Sequence, residues 1–210
     1  MVFKKILGMC VLTLLMATAA LPMQGQNSNE VGLVIGAAKV PSQSLSQGGN
    51  LTFRPSLLLG AEYDRRLWGS DQVAVYGGMD FLASPFDVKL DQRPASEIRQ
   101  YAFIFLTPRV HVKFKPQAAV APWFSFGGGY ARFLETQPGR PTVFKEGTNT
   151  GALQFGAGID TQPLVRVLRI PIAFRLEVRD FYTGAPSYNG AIKSDSQHTV
   201  AFTGGFLLRF

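Results

Sequence analysis

The chain has 210 residues, of which 46% are hydrophobic, and it carries 21 Lys and Arg residues against 14 Asp and Glu residues. The basic residues are scattered along the sequence, which argues against a nucleic-acid-binding protein, where such charges cluster. A single cysteine, Cys10, excludes an intrachain disulfide framework.

The first 25 residues are typical of a secretory signal peptide. Lys4 and Lys5 precede an apolar run over 6–20, which is too short for a stable transmembrane helix and ends in small residues. Cys10 lies early in this run and does not fit a lipoprotein signal, so we expect it to be removed on export. The mature chain would then hold no thiol nucleophile and no thiolate metal site.

Residues 27–210 form one predicted barrel domain. Apolar and polar residues alternate there in eight segments, and a period of two predicts strands with two unlike faces. The predicted strands are 30–40, 51–64, 73–84, 98–114, 121–133, 150–161, a seventh that includes 170–179, and 198–210. Each is long enough to span a membrane, which takes about 9–11 residues per strand.

The connections between these strands alternate in length. Long polar connections follow the first, third, fifth and seventh strands (41–50, 85–97, 134–149 and 182–197), and shorter turns follow the others (65–71, 115–120 and 162–168). This asymmetry is typical of a transmembrane barrel that has both termini at the end with the short turns.

Large apolar residues share one face of most segments. In the seventh strand Phe174 and Leu176 alternate with Arg175 and Glu177, which predicts an apolar outside and a polar inside. A soluble lipocalin-like barrel would show the reverse pattern. Near the short turns, Tyr63 and Trp68 are predicted to lie in an interfacial girdle.

In three strands the assignment of side chains to the inner or outer face is less regular. In the second strand we place Phe53 outward and Arg54 inward. In the fourth strand Phe103 and Phe105 (with Tyr101) fall on the inward phase, which predicts a bulge that switches the register near Thr107. The fifth strand is left unassigned because of its run of three glycines, 127–129.

The closing segment carries an assembly signal. Apolar residues alternate up to a final aromatic residue, at Phe202, Phe206, Leu208 and Phe210. An apolar strand of this kind would expose an aggregating edge in a soluble protein. The pattern resembles the C-terminal signal of bacterial outer-membrane barrels. With the loop asymmetry and strands such as FSFGGGYARF and LQFGAGID, the chain resembles the small eight-stranded barrels of the OmpA/OmpX type.

The resemblance implies an all-β, eight-stranded antiparallel up-and-down transmembrane β-barrel. It implies the outer membrane of a Gram-negative-type envelope, with both termini in the periplasm. The partners would be outer-membrane lipid, lipopolysaccharide and the barrel-assembly machinery, which would engage the C-terminal strand. We expect no cofactor, metal or nucleic acid. The role would be non-enzymatic, structural or in surface interactions through four long extracellular loops whose partner is unknown.

Nine ionisable residues fall on inward phases. They are Glu62, Asp80, Arg109, His111, Lys113, Asp160, Arg175, Glu177 and Arg179. An eight-stranded barrel is just wide enough to be filled by side chains, and buried charges must be paired. We therefore interpret them as a charge network that fills the lumen. The alternative is a narrow pore or a small-ligand-binding barrel.

A second candidate site lies at the start of the closing strand. Ser196 and His198 are two residues apart, on one face, and Asp195 is adjacent; these types can serve as nucleophile, base and orienting acid. The alternative function is thus an outer-membrane lipid-modifying acyl hydrolase. Lipid A deacylases place such groups on the lipid-facing wall, but in the opposite order and followed by an Asn that is absent here.

Overall fold

The computed structural model describes residues 28–44, 50–92, 99–137, 140–167, 170–185 and 194–210. The predicted signal peptide, with Cys10, lies outside the described residues. Of the residues described, none form a helix long and apolar enough to cross a membrane.

Eight long strands and three short ones make up the described secondary structure. They are β1 (Asn29–Lys39), β2 (Gln43–Ser44), β3 (Asn50–Phe53), β4 (Ser56–Gly69), β5 (Val73–Gln92), β6 (Arg99–Phe114), β7 (Val120–Gln137), β8 (Arg140–Thr161), β9 (Val165–Val167), β10 (Ile170–Gly184) and β11 (Ser196–Arg209). The long strands pair antiparallel with their sequence neighbours, in the order β1, β4, β5, β6, β7, β8, β10, β11. Strand β11 pairs back onto β1, which closes the ring. The predicted eight-stranded antiparallel up-and-down barrel is confirmed.

The two ends of the barrel differ. At one end the turns are short, and Asn29 and Phe210 exchange backbone hydrogen bonds of 2.9 and 3.0 Å. We call this the terminus end. At the opposite end, the loop end, β2 and β3 add to the upper part of β5.

Strands extend further at the loop end than the sequence predicts. The predicted polar loop 134–149 is largely a hairpin, because β7 runs to Gln137 and β8 begins at Arg140. Strand β5 likewise continues to Gln92 through part of the predicted loop 85–97. A hairpin outside a membrane keeps its backbone pairing without needing an apolar face, so hydrophobic periodicity does not mark it.

The outer wall is apolar. Large side chains that face away from the lumen are more than half exposed at many positions, for example Phe124 at 60% and Phe202 at 58%, whereas Arg175 inside is 0% exposed. Trp68 is also exposed, near the terminus end, and the Tyr63 hydroxyl donates a 2.9 Å hydrogen bond to Asn29 Oδ1. This polarity is that of a membrane barrel and the reverse of a lipocalin-like one.

The prediction of a bulge near Thr107 was wrong. Phe103 and Phe105 lie inside the barrel, and the β5–β6 register runs without a break from Phe103 to Phe114. The irregularity lies in β5 instead, between Ser84 and Val88. The aromatic rings stay inside because they pack against one another, so no switch of phase is needed.

The facing of Phe53 and Arg54 was also wrong. Phe53 is buried in the core and Arg54 is exposed. The strand is interrupted between β3 and β4 at Arg54 and Pro55, because proline has no N–H to continue the hydrogen-bond ladder. The inward and outward positions exchange phase at this interruption. The unassigned strand, β7, turns Trp123 and Ser125 inward and Phe124 outward.

Candidate functional site

The lumen at the terminus end contains the nine predicted ionisable side chains. Alternation on β4, β5, β6, β8 and β10 directs all of them inward, and each is buried. Three further ionisable side chains join them that the predicted set does not include: Glu30, Asp64 and Arg209. Among the residues the structure describes, six carboxylates face five Arg or Lys side chains and His111, so the charges nearly balance.

Glu62 lies at the centre of these ionisable side chains. Its Oε2 lies 2.6 Å from Arg175 Nη1 and 3.5 Å from Arg109 Nη2, and its Oε1 accepts a hydrogen bond from Arg179 Nη2. One carboxylate from β4 thereby contacts three guanidinium groups that project from β6 and β10, across the barrel.

Asp160 is the second acceptor. Arg175 donates to it with two nitrogens, Nε at 2.8 Å and Nη2 at 2.9 Å, the fork geometry that makes arginine–carboxylate pairs strong. Lys113 Nζ lies 2.7 Å from Asp160 Oδ2, and the Trp123 indole N–H donates a 3.0 Å bond to Oδ1. The Arg175 guanidinium thus bridges Glu62 and Asp160.

Glu30 lies beside the seam where the barrel closes. It accepts hydrogen bonds from Lys113 Nζ at 2.9 Å and from Arg209 Nε at 3.0 Å. Because Glu30 is on β1 and Arg209 is on β11, this ion pair links the first and last strands. Arg209 follows the inward phase of β11, so extending the alternation by one step would have found it.

Asp80 and Asp64 also pair with arginines that contact Glu62. Asp80 lies 2.7 Å from Arg179 Nη1 and 3.0 Å from Arg109 Nε. Asp64 accepts a 2.8 Å hydrogen bond from Arg109 Nη2. Glu177 accepts a 2.6 Å bond from Arg179 Nη2.

His111 is enclosed by rings. Its ring centroid lies 4.6 Å from that of Trp123 and 5.4 Å from that of Tyr76, and its Nδ1 is 3.5 Å from Asp64 Oδ2. The Arg175 guanidinium lies 5.1 Å from the Trp123 ring centroid, a cation–π contact. A fully buried His111 cannot reach a substrate in this arrangement, and it acts as one more packing partner.

A second layer closes the lumen towards the loop end. Phe105 and Phe181 stack with ring centroids 4.2 Å apart and planes 8° apart. Phe133 meets Phe105 edge-on at 6.1 Å, and Phe103 lies 5.2 Å from Phe105. These rings are buried with aliphatic neighbours from five other strands, such as Val34, Leu58 and Leu82. The lumen therefore has two layers. We name the ionisable side chains at the terminus end the charged layer, and the Phe rings with their aliphatic neighbours the aromatic layer.

Glycines in β7 and β8 make room for neighbouring groups. A Cβ at Gly158 would lie 2.5 Å from Trp123 Cζ2, and one at Gly127 would lie 2.4 Å from the Pro108 carbonyl oxygen. Within the described ranges, no group of three or more His, Cys, Asp or Glu side chains is arranged to hold a metal ion.

The second candidate site lies on the outer wall near the loop end. Ser196 and His198 face outward from β11, and His198 Nδ1 lies 2.7 Å from Asp180 Oδ2 on β10. The acid beside the histidine is therefore Asp180 and not the adjacent Asp195. Asp180 is not predicted by the sequence pattern, because it is 18 residues away along the chain and becomes a neighbour only through strand pairing.

Comparisons with known proteins identify the fold. No protein-family model and no curated protein sequence match the chain. The structure of Neisserial surface protein A (NspA) matches with a TM-score of 0.60 and 13% identity, over 89% of this chain and 100% of that one. OprG from Pseudomonas aeruginosa matches with a TM-score of 0.53 and 15% identity, over 90% and 99%. The outer membrane enzyme PagL has a TM-score of 0.45 and 13% identity, over 86% and 99%.

At such identities a match concerns the fold alone. NspA and OprG share with this chain a likeness that extends over nearly its whole length. Together with the closed ring of eight antiparallel strands and the apolar outer wall, this likeness shows that the chain has the fold of the small OmpA/OmpX-like outer-membrane β-barrels.

Proposed function

We propose that the protein is a bacterial outer-membrane barrel whose lumen and long connections have a non-enzymatic role, structural or in surface interactions. The observation that carries the proposal is the polarity of the barrel: large apolar side chains cover its outer wall, and paired charges fill its inside. Such a wall is stable only against lipid, since water would leave a wide apolar surface exposed.

The unequal ends support a proposed orientation. Both termini and the three short turns would lie in the periplasm, and the four connections at the loop end would be extracellular. Outer-membrane lipid and lipopolysaccharide would surround the wall. The barrel-assembly machinery would engage the closing strand, through outward residues such as Phe202, Phe206 and Phe210.

The paired side chains inside the barrel favour this role over that of a pore. Ion pairs across the lumen, such as Arg175 with Glu62 at 2.6 Å, occupy space that a solute would have to cross. The stacked Phe105 and Phe181 rings add an apolar barrier above them. A conducting barrel would have to break both layers.

Fractionation with unheated gel electrophoresis tests the proposed location. The mature chain should be recovered in the outer membrane and migrate compactly without heating. A variant that lacks Phe210 should lose assembly, whereas Phe124→Ala, which shortens another exposed ring of the wall, should retain it. Recovery as a soluble periplasmic protein that is indifferent to the loss of Phe210 would overturn the proposal.

Single-channel recording of the refolded protein tests the closed lumen. We expect no steady conductance from the wild-type barrel. Stable, reproducible conductance steps would instead favour the pore.

A further inference from the structure

The outer wall holds a polar pair that the proposed lumen and loop functions do not use. His198 and Asp180 have side chains that are 53% and 35% exposed, and His198 Nδ1 lies 2.7 Å from Asp180 Oδ2. The neighbouring Tyr182 ring lies 5.0 Å from the imidazole, centroid to centroid. A carboxylate fixes the orientation of this exposed imidazole, which packing alone does not require.

We propose that Ser196, His198 and Asp180 form a site that hydrolyses the acyl ester of a membrane lipid. The inference goes beyond the proposed function because it concerns the outer wall, and it rests on that function only for the membrane location. Its substrate class is an ester-linked fatty acyl chain, which glycerophospholipids and lipid A both carry.

The strand geometry supports the three roles. Hydrogen bonding of Nδ1 to a carboxylate leaves Nε2 of His198 as the basic nitrogen, the tautomer of a general base. Ser196 precedes His198 by two residues on the same face of β11, so their Cα atoms are roughly 6.6 Å apart. Rotation of the two side chains can bring the hydroxyl to Nε2, a contact that is often looser before substrate binds.

The residue opposite Ser196 is small. Its partner across the β10–β11 ladder is Gly184, whose N–H donates a 3.2 Å hydrogen bond to the Thr150 hydroxyl. Asp180 and Tyr182 hold the imidazole from β10, and we assign them as positioning residues.

The position on the wall selects the substrate. Below His198 the outward residues of β11 are apolar, from Val200 through Phe202 to Phe206, so the pair marks the level at which the apolar wall ends. Lipid esters lie at this level of a bilayer, between the chains and the headgroups. A shallow apolar groove further down the same wall, lined by Ala157, Ile159, Leu176, Val178 and Phe202 among others, runs where the acyl chain would lie.

The reaction needs water and no other co-reactant. Ser196 Oγ attacks the ester carbonyl carbon while His198 Nε2 takes the hydroxyl proton. The bond from that carbon to the lipid oxygen breaks, and His198 returns the proton to the departing alcohol. Water, deprotonated by His198, then attacks the acyl-serine and releases the fatty acid and Ser196.

The test uses the full mature barrel, refolded and checked for compact gel migration. One arm offers phospholipid vesicles and another offers lipopolysaccharide, with released fatty acid measured in both. A fluorophosphonate probe reports the nucleophile through mass mapping of the labelled peptide. We expect release in at least one arm and labelling at Ser196. The two arms distinguish the lipid source.

Variants separate the roles. Ser196→Ala and His198→Ala should lower release at least about 100-fold, the typical contribution of such groups. Asp180→Asn should cause a similar loss through kcat with little change in KM, and Asp180→Glu should restore part of the rate. The matched control is Asp195→Asn, which should leave release unchanged.

Several results would overturn the site. One is a compactly folded wild-type protein that neither releases fatty acid nor takes up the probe. Another is an Asp180→Asn variant that keeps full activity. Since folding into the membrane is scored separately, a failed hydrolase would leave the proposed membrane function intact.

Discussion

The two layers of the lumen are built by the same strands but are stabilised by different interactions. Strand β6 contributes Phe103 and Phe105 to the aromatic layer and, continuing on the same inward phase, Arg109 and Lys113 to the charged layer. The side chains of both layers are buried. The aromatic layer is stabilised by non-directional burial of apolar surface, and the charged layer by pairs whose geometry must be satisfied one by one.

The difference lies in what each layer specifies. Glu62 and Arg175 are 113 residues apart in sequence and meet at 2.6 Å, and a slip of one residue in either strand would turn one of them out to the lipid. Burying an unpaired charge is so costly that we expect the charged layer to specify the strand register. The aromatic layer tolerates changes of shape, because rings and aliphatic groups can repack.

Glu62→Gln should have the largest effect of the changes considered. The amide is nearly the same size as the carboxylate, but three guanidinium groups lose their shared counter-charge. Removal of one partner of a buried ion pair typically costs about 3–5 kcal/mol. Urea unfolding of the barrel in lipid vesicles measures the change in free energy. Asp71→Asn, at an exposed turn, is the control and should cost nothing measurable.

A loss below about 1 kcal/mol for Glu62→Gln would contradict a register-specifying charged layer. It would mean that water reaches the lumen and solvates the arginines.

Phe181→Ala should have the next largest effect. Phe181 is fully buried and stacks on Phe105 at 4.2 Å, and a buried Phe→Ala change costs about 3–5 kcal/mol through lost burial and a cavity. We expect the lower end of that range, since neighbouring rings can shift into the space. The same urea titration measures it.

Phe181→Leu sharpens the contrast with the charged layer. It keeps an apolar group of similar size and should cost less than about 1.5 kcal/mol. Volume therefore governs the aromatic layer, and charge governs the layer below it. If Phe181→Leu proved as costly as Glu62→Gln, the two layers would be equally specific and the distinction would fail.

The sequence predicted the barrel well because its signals are local. Alternation in single strands places Arg175 and Glu177 inside and Phe174 outside without knowledge of any neighbour. The two errors of facing arose where a local rule was overridden. Pro55 interrupts the ladder beside Phe53, and mutual packing retains Phe103 and Phe105 inside.

The pairings within the candidate sites could not be predicted in the same way. A strand has two neighbours and an unknown register with each, so the partner of His198 was sought next to it in sequence, at Asp195. Asp180 lies next to it only once Tyr182 pairs with His198 across β10 and β11. Trp123 was missed for another reason, because three adjacent glycines hid the phase of its strand.

Trp123→Phe should have a smaller effect than Glu62→Gln or Phe181→Ala. The Trp123 indole joins the two kinds of interaction, since it is a buried ring that also donates a 3.0 Å hydrogen bond to Asp160. Phenylalanine keeps most of the ring and removes that donor. Asp160 would still accept from Arg175 at 2.8 Å and lie 2.7 Å from Lys113, so the carboxylate stays paired and the loss should be about 1–2 kcal/mol.

Far-UV circular dichroism along the urea titration would measure this change, because the substitution also removes one of the two tryptophan fluorophores. Trp123→Leu is the companion variant, since it removes the ring along with the donor. If the ring contacts with His111 and Arg175 matter more than the hydrogen bond, Trp123→Leu should cost clearly more than Trp123→Phe. Equal losses would assign the contribution of Trp123 to its N–H, and hence to the charged layer alone.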